Sequence, residues 1–201
     1  MKKFFDLFRP KKQPITIVSG LPRSGTSMMM KMLEAGGIPP LTDNIRTADD
    51  DNPKGYYEFE RAKKLREGDT DWLPQARGKA VKVISALLQH LPANYDYKVI
   101  FMRRAMPEIL ASQRKMLINR GENPDKVSDK EMTKLYEKHL TKVLGWLEEQ
   151  KNFDVLHVNY NAALADPTPY IPKINAFLGN SPDVEKMAGV IDPNLYRQRR
   201  K

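Results

Sequence analysis

The residues best suited to chemistry in this sequence lie in one short run, from Gly20 to Ser27. The run reads Gly-Leu-Pro-Arg-Ser-Gly-Thr-Ser and follows an apolar segment that begins at Ile15. Its glycines permit a tight turn, and the pattern from Thr26 onward is that of a helix. Free backbone N–H groups at a helix start would then face the turn, which is an arrangement that binds anions, above all phosphate.

The position of positive charge in this run indicates which phosphate is expected. The spacing from Gly20 to Gly25 matches a P-loop, but Thr26 stands where an ATP-binding loop has lysine. The charge is carried instead by Arg23, inside the loop. We therefore expect a phosphate group here that does not belong to the triphosphate of ATP.

A second basic element follows a later apolar segment. Arg103 and Arg104 come at the end of a predicted strand, and in open α/β sheets ligands bind beyond the carboxyl ends of the strands. Ser112 follows Arg104 by eight residues, about two turns along the next helix. Arg104 and Ser112 could therefore hold a further anion together. Taken alone, the arginines also fit a solvated strand end, and Ser112 a surface hydroxyl.

The elements that must position these residues alternate between strand and helix. The sequence predicts strands over 15–20, 79–85, 97–103 and 153–160. It predicts helices over 26–35, 58–67, 107–120, 129–150 and 169–178, with a long loop over 38–57. Strands separated by helices imply right-handed crossovers and a mainly parallel sheet. We expect an α/β three-layer P-loop fold with helices on both faces of the sheet, forming one domain over 15–201.

Composition narrows the classes of partner. The 201 residues include no cysteine, which excludes a disulfide framework and thiolate metal sites and fits the cytoplasm. No cluster of histidines and carboxylates has the spacing of metal ligands, so no metal is implied. The net charge of +9 favours a polyanionic partner: a phosphorylated cofactor, an anionic substrate, nucleic acid or an acidic membrane surface.

The N-terminal arm, residues 1–14, combines lysines with phenylalanines. Its first twelve residues are too short and too charged to span a bilayer or to act as a signal peptide. An interfacial membrane anchor is one interpretation. We favour the other, in which the arm folds onto the body of the protein or frays.

Together these elements resemble the PAPS-dependent sulfotransferase family, in its bacterial-type branch; PAPS is 3′-phosphoadenosine 5′-phosphosulfate. The core of that family's 5′-phosphosulfate loop is matched by the run from Pro22 to Thr26, and its 3′-phosphate site by Arg104 and Ser112. Weaker similarities lie at 52–58, 155–179 and 191–197. The resemblance thus extends over nearly the whole chain after residue 14.

The resemblance implies a role for each matched residue. The 5′-phosphosulfate would be bound by the loop residues Arg23, Ser24, Gly25, Thr26 and Ser27. Arg23 would also bridge to the transferring sulfuryl group, and Lys82 matches a site lysine of the family. Arg104 and Ser112 would hold the 3′-phosphate, which ATP lacks. Arg197, in the basic tail, is a candidate to close over that phosphate.

The catalytic base is the point at which the sequence departs from the family. Cytosolic members use the histidine of a Lys-Thr-His segment, but the corresponding strand here keeps Lys82 and has no histidine. His90 lies further on and fits an ordinary loop residue. Other branches use a glutamate, for which Glu58 and Glu60 are the candidates. Both also fit a solvated helix start, where glutamate is favoured.

The function expected from these features is transfer of a sulfuryl group from PAPS to a hydroxyl or amine, giving 3′-phosphoadenosine 5′-phosphate (PAP). One alternative is a P-loop nucleotide kinase, which lacks support because neither Gly-Lys-Ser/Thr nor a strand-end acidic Mg²⁺ ligand is present. The other is a non-catalytic PAPS- or nucleotide-binding protein. Nucleic acid is disfavoured because no platform of interleaved aromatic and basic residues is found.

The sequence leaves the acceptor open among a small molecule, a lipid headgroup, a glycan and a peptide. The basic charge balance favours an acidic acceptor. We expect the acceptor pocket to form from the 38–57 loop and the long helix 129–150, with a second subunit as an optional contributor.

Overall fold

A four-stranded parallel sheet forms the centre of the fold. The computed structural model describes residues 13–43, 45 and 55–190. The strands are β1 (Ile15–Gly20), β2 (Ala80–Lys82), β3 (Tyr97–Arg103) and β4 (Phe153–Asn159). Their order is β2-β1-β3-β4, and each neighbouring pair is parallel. The predicted α/β fold with a mainly parallel sheet is confirmed.

Helices connect the strands. The α-helices are α1 (Thr26–Ala35), α2 (Glu60–Lys63), α3 (Met106–Asn119), α4 (Asp129–Glu149), α5 (Tyr160–Ala165), α6 (Ile171–Phe177) and α7 (Val184–Ala188). Within the described residues, 3₁₀ helices span Lys64–Glu67, Leu73–Ala76 and Ser85–His90. Ser128 and Glu131 form a capping box at the start of α4.

Each face of the sheet carries its own apolar core, because successive strand residues point to opposite sides. Ile15 and Ile17 of β1 face a core with Val143 and Leu147 of α4. Val18 faces the opposite core, which also contains residues of α1, α6 and α7. Three methionines of α1 pack into this second core as fully buried side chains, Met29, Met30 and Met32, and the partly buried Met28 packs against it. The result is three layers.

Several element boundaries differ from those predicted. The strand predicted over 79–85 ends at Lys82, because a 3₁₀ helix begins at Ser85. The helix predicted over 58–67 becomes α2 followed by a 3₁₀ turn that ends at Gly68 in the left-handed conformation. The sequence analysis missed α5 and α7, which are only six and five residues long. Such short helices depend on packing more than on periodicity.

Some predictions concern residues outside the described part of the chain. These are the arm over residues 1–12, the loop segment 46–54, the similarity at 191–197 and Arg197. Within the part of the chain that the structure describes, no helix combines the length and apolarity needed to cross a membrane.

Candidate active site

The P-loop (residues 20–27) connects β1 to α1 at the carboxyl edge of the sheet. Gly20 has φ of +146° and Gly25 has φ of +98°, both in the region that favours glycine. A Cβ at Gly25 would overlap the ring of Tyr160, and one at Gly20 would lie 2.6 Å from the carbonyl oxygen of Met102. Both glycines are therefore required by conformation and by close packing.

The start of α1 has the features of an anion site. No side chain caps this helix end, and its first turn contains no acidic residue. The first backbone N–H groups of a helix have no intrahelical partner, and the helix dipole favours negative charge there. The buried hydroxyl of Ser24 also has no hydrogen-bond partner among the described residues. A bound anion would supply the missing acceptors.

The two sequence motifs meet in space through Arg23. Its Nε donates a hydrogen bond to Ser112 Oγ at 2.9 Å, and its carbonyl oxygen accepts one from Arg104 at 3.0 Å. Arg23 itself has φ of +68°, the left-handed conformation that turns the loop toward α3. Arg23, Arg104 and Ser112 therefore form one group beside the start of α1.

The Arg104 side chain has three partners: the Arg23 carbonyl oxygen, the Glu108 carboxylate and the Tyr160 ring. Its Nε donates to Glu108 Oε2 at 3.1 Å, and its guanidinium lies 4.6 Å from the centre of the Tyr160 ring. Asn161 donates to the same Glu108 oxygen at 2.8 Å. Only 8% of the Arg104 side chain and 5% of the Glu108 side chain is exposed. Since removing one member of a buried ion pair leaves an uncompensated charge, this arrangement fixes the Arg104 guanidinium.

Lys82 links the P-loop to the segment that contains the predicted base. Its Nζ donates to Ser27 Oγ at 3.3 Å and to the carbonyl oxygen of Tyr56 at 2.8 Å. The same Nζ lies 3.9 Å from Glu58 Oε1. The end of β2, the first turn of α1 and the segment 55–58 are thereby brought together.

The two candidate glutamates have different surroundings. Glu58 is 15% exposed and lies between two cations, with Lys63 Nζ at 2.7 Å from its Oε2 and Lys82 on the other side. Glu60 is 40% exposed at the start of α2 and pairs with Lys63. Burial opposes the charge of Lys63, but hydrogen bonds to both glutamates raise its pKa above the ordinary value. Only Glu58 is placed beside Lys82.

A cavity of about 130 Å³ opens beside Glu58. Among the described residues, its lining consists of Glu58, Phe59, Ala62, Lys63, Lys82, Val83, Ile84 and Leu87. These residues belong to two segments, 58–63 and 82–87. The acceptor pocket predicted from the 38–57 loop and α4 stays a prediction, because residues 44 and 46–54 of that loop lie outside the described part of the chain. Ile84 lies two residues after Lys82, at the position of the histidine in the Lys-Thr-His segment described above. His90 is exposed at the end of its 3₁₀ helix.

Comparison with known proteins assigns the family. A model of the sulfotransferase domain matches residues 13–197, nearly the whole chain. The chain belongs to the sulfotransferase domain family. The resemblance inferred from the sequence is thus confirmed, and the protein is an enzyme of sulfuryl transfer.

Solved structures with the same fold are sulfotransferases as well. The sulfotransferase domain from the curacin biosynthetic pathway is 15% identical over 91% of this chain and 79% of its own, with a TM-score of 0.53. Sulfotransferase STF1 from Mycobacterium tuberculosis H37Rv is 14% identical over 94% of this chain and 79% of its own, also with a TM-score of 0.53. At 14–15% identity, the similarity shows that these proteins share the fold of this chain. A comparison with curated proteins gave no match.

The site of this sulfotransferase contains three residues that the sequence analysis missed. Glu108, Tyr160 and Asn161 all contact Arg104 or its partner. Glu108 follows Arg104 by four residues, a spacing that could have suggested the ion pair. Nothing in the sequence indicates the other two, because they come from α5. Among the described residues, no group of three or more histidines and carboxylates could hold a metal ion.

Proposed function

We propose that this sulfotransferase transfers the sulfuryl group of PAPS to an acceptor hydroxyl, with Glu58 as the general base. One observation carries the proposal: Arg23 forms hydrogen bonds with both Arg104 and Ser112 beside the start of α1, where the described residues provide no side-chain cap. A helix start alone would suit many anions. A helix start with two arginines and a serine suits a nucleotide that has phosphates on both sides of its ribose.

The residues present fit the 5′-phosphosulfate. The first N–H groups of α1, the Thr26 hydroxyl, and the Ser24 hydroxyl, which has no partner among the described residues, supply donors. The Ser27 hydroxyl donates to the Tyr56 carbonyl oxygen at 3.4 Å and would exchange that bond for one to the phosphate. Arg23 adds a positive charge in the loop itself. Charge-assisted hydrogen bonds of this kind contribute roughly 1.5–3 kcal/mol each before desolvation is counted.

Arg104 and Ser112 would hold the 3′-phosphate. The contacts of Arg104 with Glu108 and Tyr160 keep its guanidinium in one orientation, so little conformational entropy is lost on binding. Because Ser112 Oγ accepts a hydrogen bond from Arg23, a phosphate at Ser112 would lie next to that arginine as well. The two phosphate sites would thus share one network.

The side chains around Glu58 support an in-line transfer. When bound, PAPS supplies an electrophilic sulfur whose bond to the 5′-phosphate oxygen is broken. Glu58 would accept the acceptor's proton as the acceptor oxygen bonds to sulfur, and Lys63 and Lys82 orient its carboxylate. Arg23 and Lys82 would offset the negative charge that develops on the leaving oxygen. No protein nucleophile is needed.

The proposal is tested by calorimetry on Arg104→Lys, which retains the charge facing Glu108 but loses the planar fork. We expect this variant to bind PAP about tenfold or more weakly. Its affinity for adenosine 5′-phosphosulfate, which lacks the 3′-phosphate, should change less than about threefold.

Arg103→Lys is the matched control. Arg103 is the exposed neighbour at the end of β3, and its replacement should change neither affinity. Equal losses for both ligands in Arg104→Lys, or equal effects of the two substitutions on PAP, would contradict the assignment of Arg104 to the 3′-phosphate.

A further inference from the structure

We infer that Asp43 is a positioning residue that holds Glu58 in place for proton transfer. The inference rests on the proposed function, in which Glu58 is the general base. Asp43 is half-buried, and its carboxylate accepts two backbone hydrogen bonds. Its Oδ2 accepts one from the Glu60 N–H at 2.6 Å, and its Oδ1 accepts one from the Ile45 N–H at 3.1 Å.

Two hydrogen bonds fix the backbone on either side of Phe59. Thr42 Oγ1 donates to the Glu58 carbonyl oxygen at 2.8 Å, and Asp43 accepts from the Glu60 N–H. Phe59 is the N-cap residue of α2 and has no side-chain oxygen, so Asp43 supplies the cap from another part of the chain. A hydrogen bond to a carboxylate is roughly twice as strong as one between neutral groups. Because α2 has only four residues, its placement depends on such external contacts.

The segment that contains Asp43 is itself attached to strand β2. The Leu41 N–H donates to the Ala80 carbonyl oxygen at 2.7 Å, and the Ala80 N–H donates to the Pro39 carbonyl oxygen at 3.0 Å. The Leu41 side chain is buried in the core that also contains residues of α4. Asp43 follows this attachment by two residues, so its position relative to β2 is well defined.

Glu58 and Lys82 are therefore both placed from the same strand. Lys82 is the last residue of β2, and its Nζ lies 3.9 Å from Glu58 Oε1. The second route runs from β2 through residues 39–43 to the start of α2. Loss of the Asp43 carboxylate would release this start and let the Glu58 side chain move away from Lys82. A displacement of about 1 Å can lower the rate of an enzyme by about 100-fold.

The test compares Asp43→Ala with Asp183→Ala in the full-length protein. Asp183 is the matched control because its carboxylate also accepts two backbone hydrogen bonds, at the start of α7. Its own N–H donates to the carbonyl oxygen of Gly36, which lies at the end of α1 opposite the P-loop. Both variants should lose similar stability in urea unfolding, because each loses a helix cap.

The rate of PAP formation and the affinity for PAP separate positioning from stability. At saturating PAPS, with an acceptor that the wild-type protein sulfates, Asp43→Ala should form PAP about tenfold more slowly than wild type. Asp183→Ala should stay within about threefold of the wild-type rate, and neither substitution should change PAP affinity by more than about threefold. Asp43→Asn, which keeps one acceptor oxygen for the Glu60 N–H, should restore the rate to within about threefold of wild type.

Two further measurements show whether Asp43 acts through Glu58. In the double variant Asp43→Ala/Glu58→Gln, the rate should lie within about twofold of that of Glu58→Gln alone, because the base that Asp43 positions is already lost. Hydrogen exchange of the Glu60 amide, which requires no acceptor, should be at least about tenfold faster in Asp43→Ala than in wild type. If Asp43→Ala does not fold, Thr42→Val should lower the rate about threefold or more and have no such effect in the Glu58→Gln background.

Three results would overturn the positioning role. They are equal rates in the two alanine variants, multiplied rate losses in the double variant, and unchanged exchange of the Glu60 amide. Each leaves the proposed function standing if PAP binds and Glu58→Gln is slow. Failure of PAP to bind, or a wild-type rate in Glu58→Gln, would instead overturn the proposed function, and the role of Asp43 with it.

Discussion

At the scale of single residues, two glutamates separated by one position differ in what they can do. Glu58 points toward the cavity beside Lys82, while Glu60 begins α2 and is more exposed. The sequence offered both as bases, since Glu58 ends the 52–58 similarity and Glu60 lies two residues after it. The difference arises because the chain turns sharply between Tyr57 and the start of α2, which spacing alone does not reveal.

Replacing each glutamate separates the two roles. Glu58→Gln should lower the rate of PAP formation from PAPS, measured with an acceptor that the wild-type protein sulfates, by about 10²–10⁴-fold, because the general base is lost. Its affinity for PAP should be unchanged. Glu60→Gln should keep the rate within about threefold, since its carboxylate contributes only an exposed ion pair. Steady-state kinetics and calorimetry measure these effects, and equal rate losses in the two variants would refute the assignment.

At the scale of elements, the segment 55–58 is attached to both α1 and β2. Tyr57 adopts φ of +52°, an unusual conformation for a residue with a side chain, and its hydroxyl donates to Glu34 of α1. Burial and then the contact with Glu34 raise the pKa of Tyr57 well above its ordinary value, so the phenol remains a donor. The turn at Tyr57 directs the Tyr56 carbonyl to Lys82 and leaves Glu58 at the cavity.

Removing the Tyr57 hydroxyl tests whether this attachment positions Glu58. Tyr57→Phe should lower stability by about 1 kcal/mol and the rate of PAP formation by about tenfold, with little change in PAP affinity. Tyr136→Phe is the matched control, because Tyr136 donates to Gln113 between α4 and α3. It should lose similar stability in urea unfolding and keep its rate. A rate loss in both variants, or in neither, would contradict a positioning role.

How far the sequence predicts these elements depends on the strength of their patterns. The buried strand β3 and the helices α1 and α4 were predicted to within one residue, because a long apolar run marks β3, glycines follow α1, and an amphipathic pattern marks α4. The network around Arg104 was not predicted beyond Arg104 and Ser112. Tyr160 and Asn161 reach it from α5, a six-residue helix whose place depends on the docking of β4.

At the scale of the whole molecule, the positive net charge of the chain does not match the mainly apolar character of the cavity beside Glu58. The excess of +9 suggested an acidic acceptor, but most of it comes from the two ends of the chain: residues 1–12 have five basic residues and one acidic residue, and residues 191–201 have four and one. The cavity beside Glu58 is mainly apolar, and its lysines face glutamates. The total charge of the chain is therefore a poor guide to the acceptor, whereas the group of Arg23, Arg104 and Ser112 has two arginines in one network.

The measurement that tests the central claim most directly is calorimetric titration of the wild-type protein with PAP and with ATP plus Mg²⁺. The P-loop has Thr26 where an ATP-binding loop has lysine and carries its charge on Arg23, and in the proposed function Arg104 and Ser112 would hold a 3′-phosphate that ATP lacks. We predict binding of PAP without Mg²⁺, at least about tenfold tighter than binding of ATP with Mg²⁺. Equal or tighter binding of ATP with Mg²⁺ would contradict the assignment of PAPS as the donor.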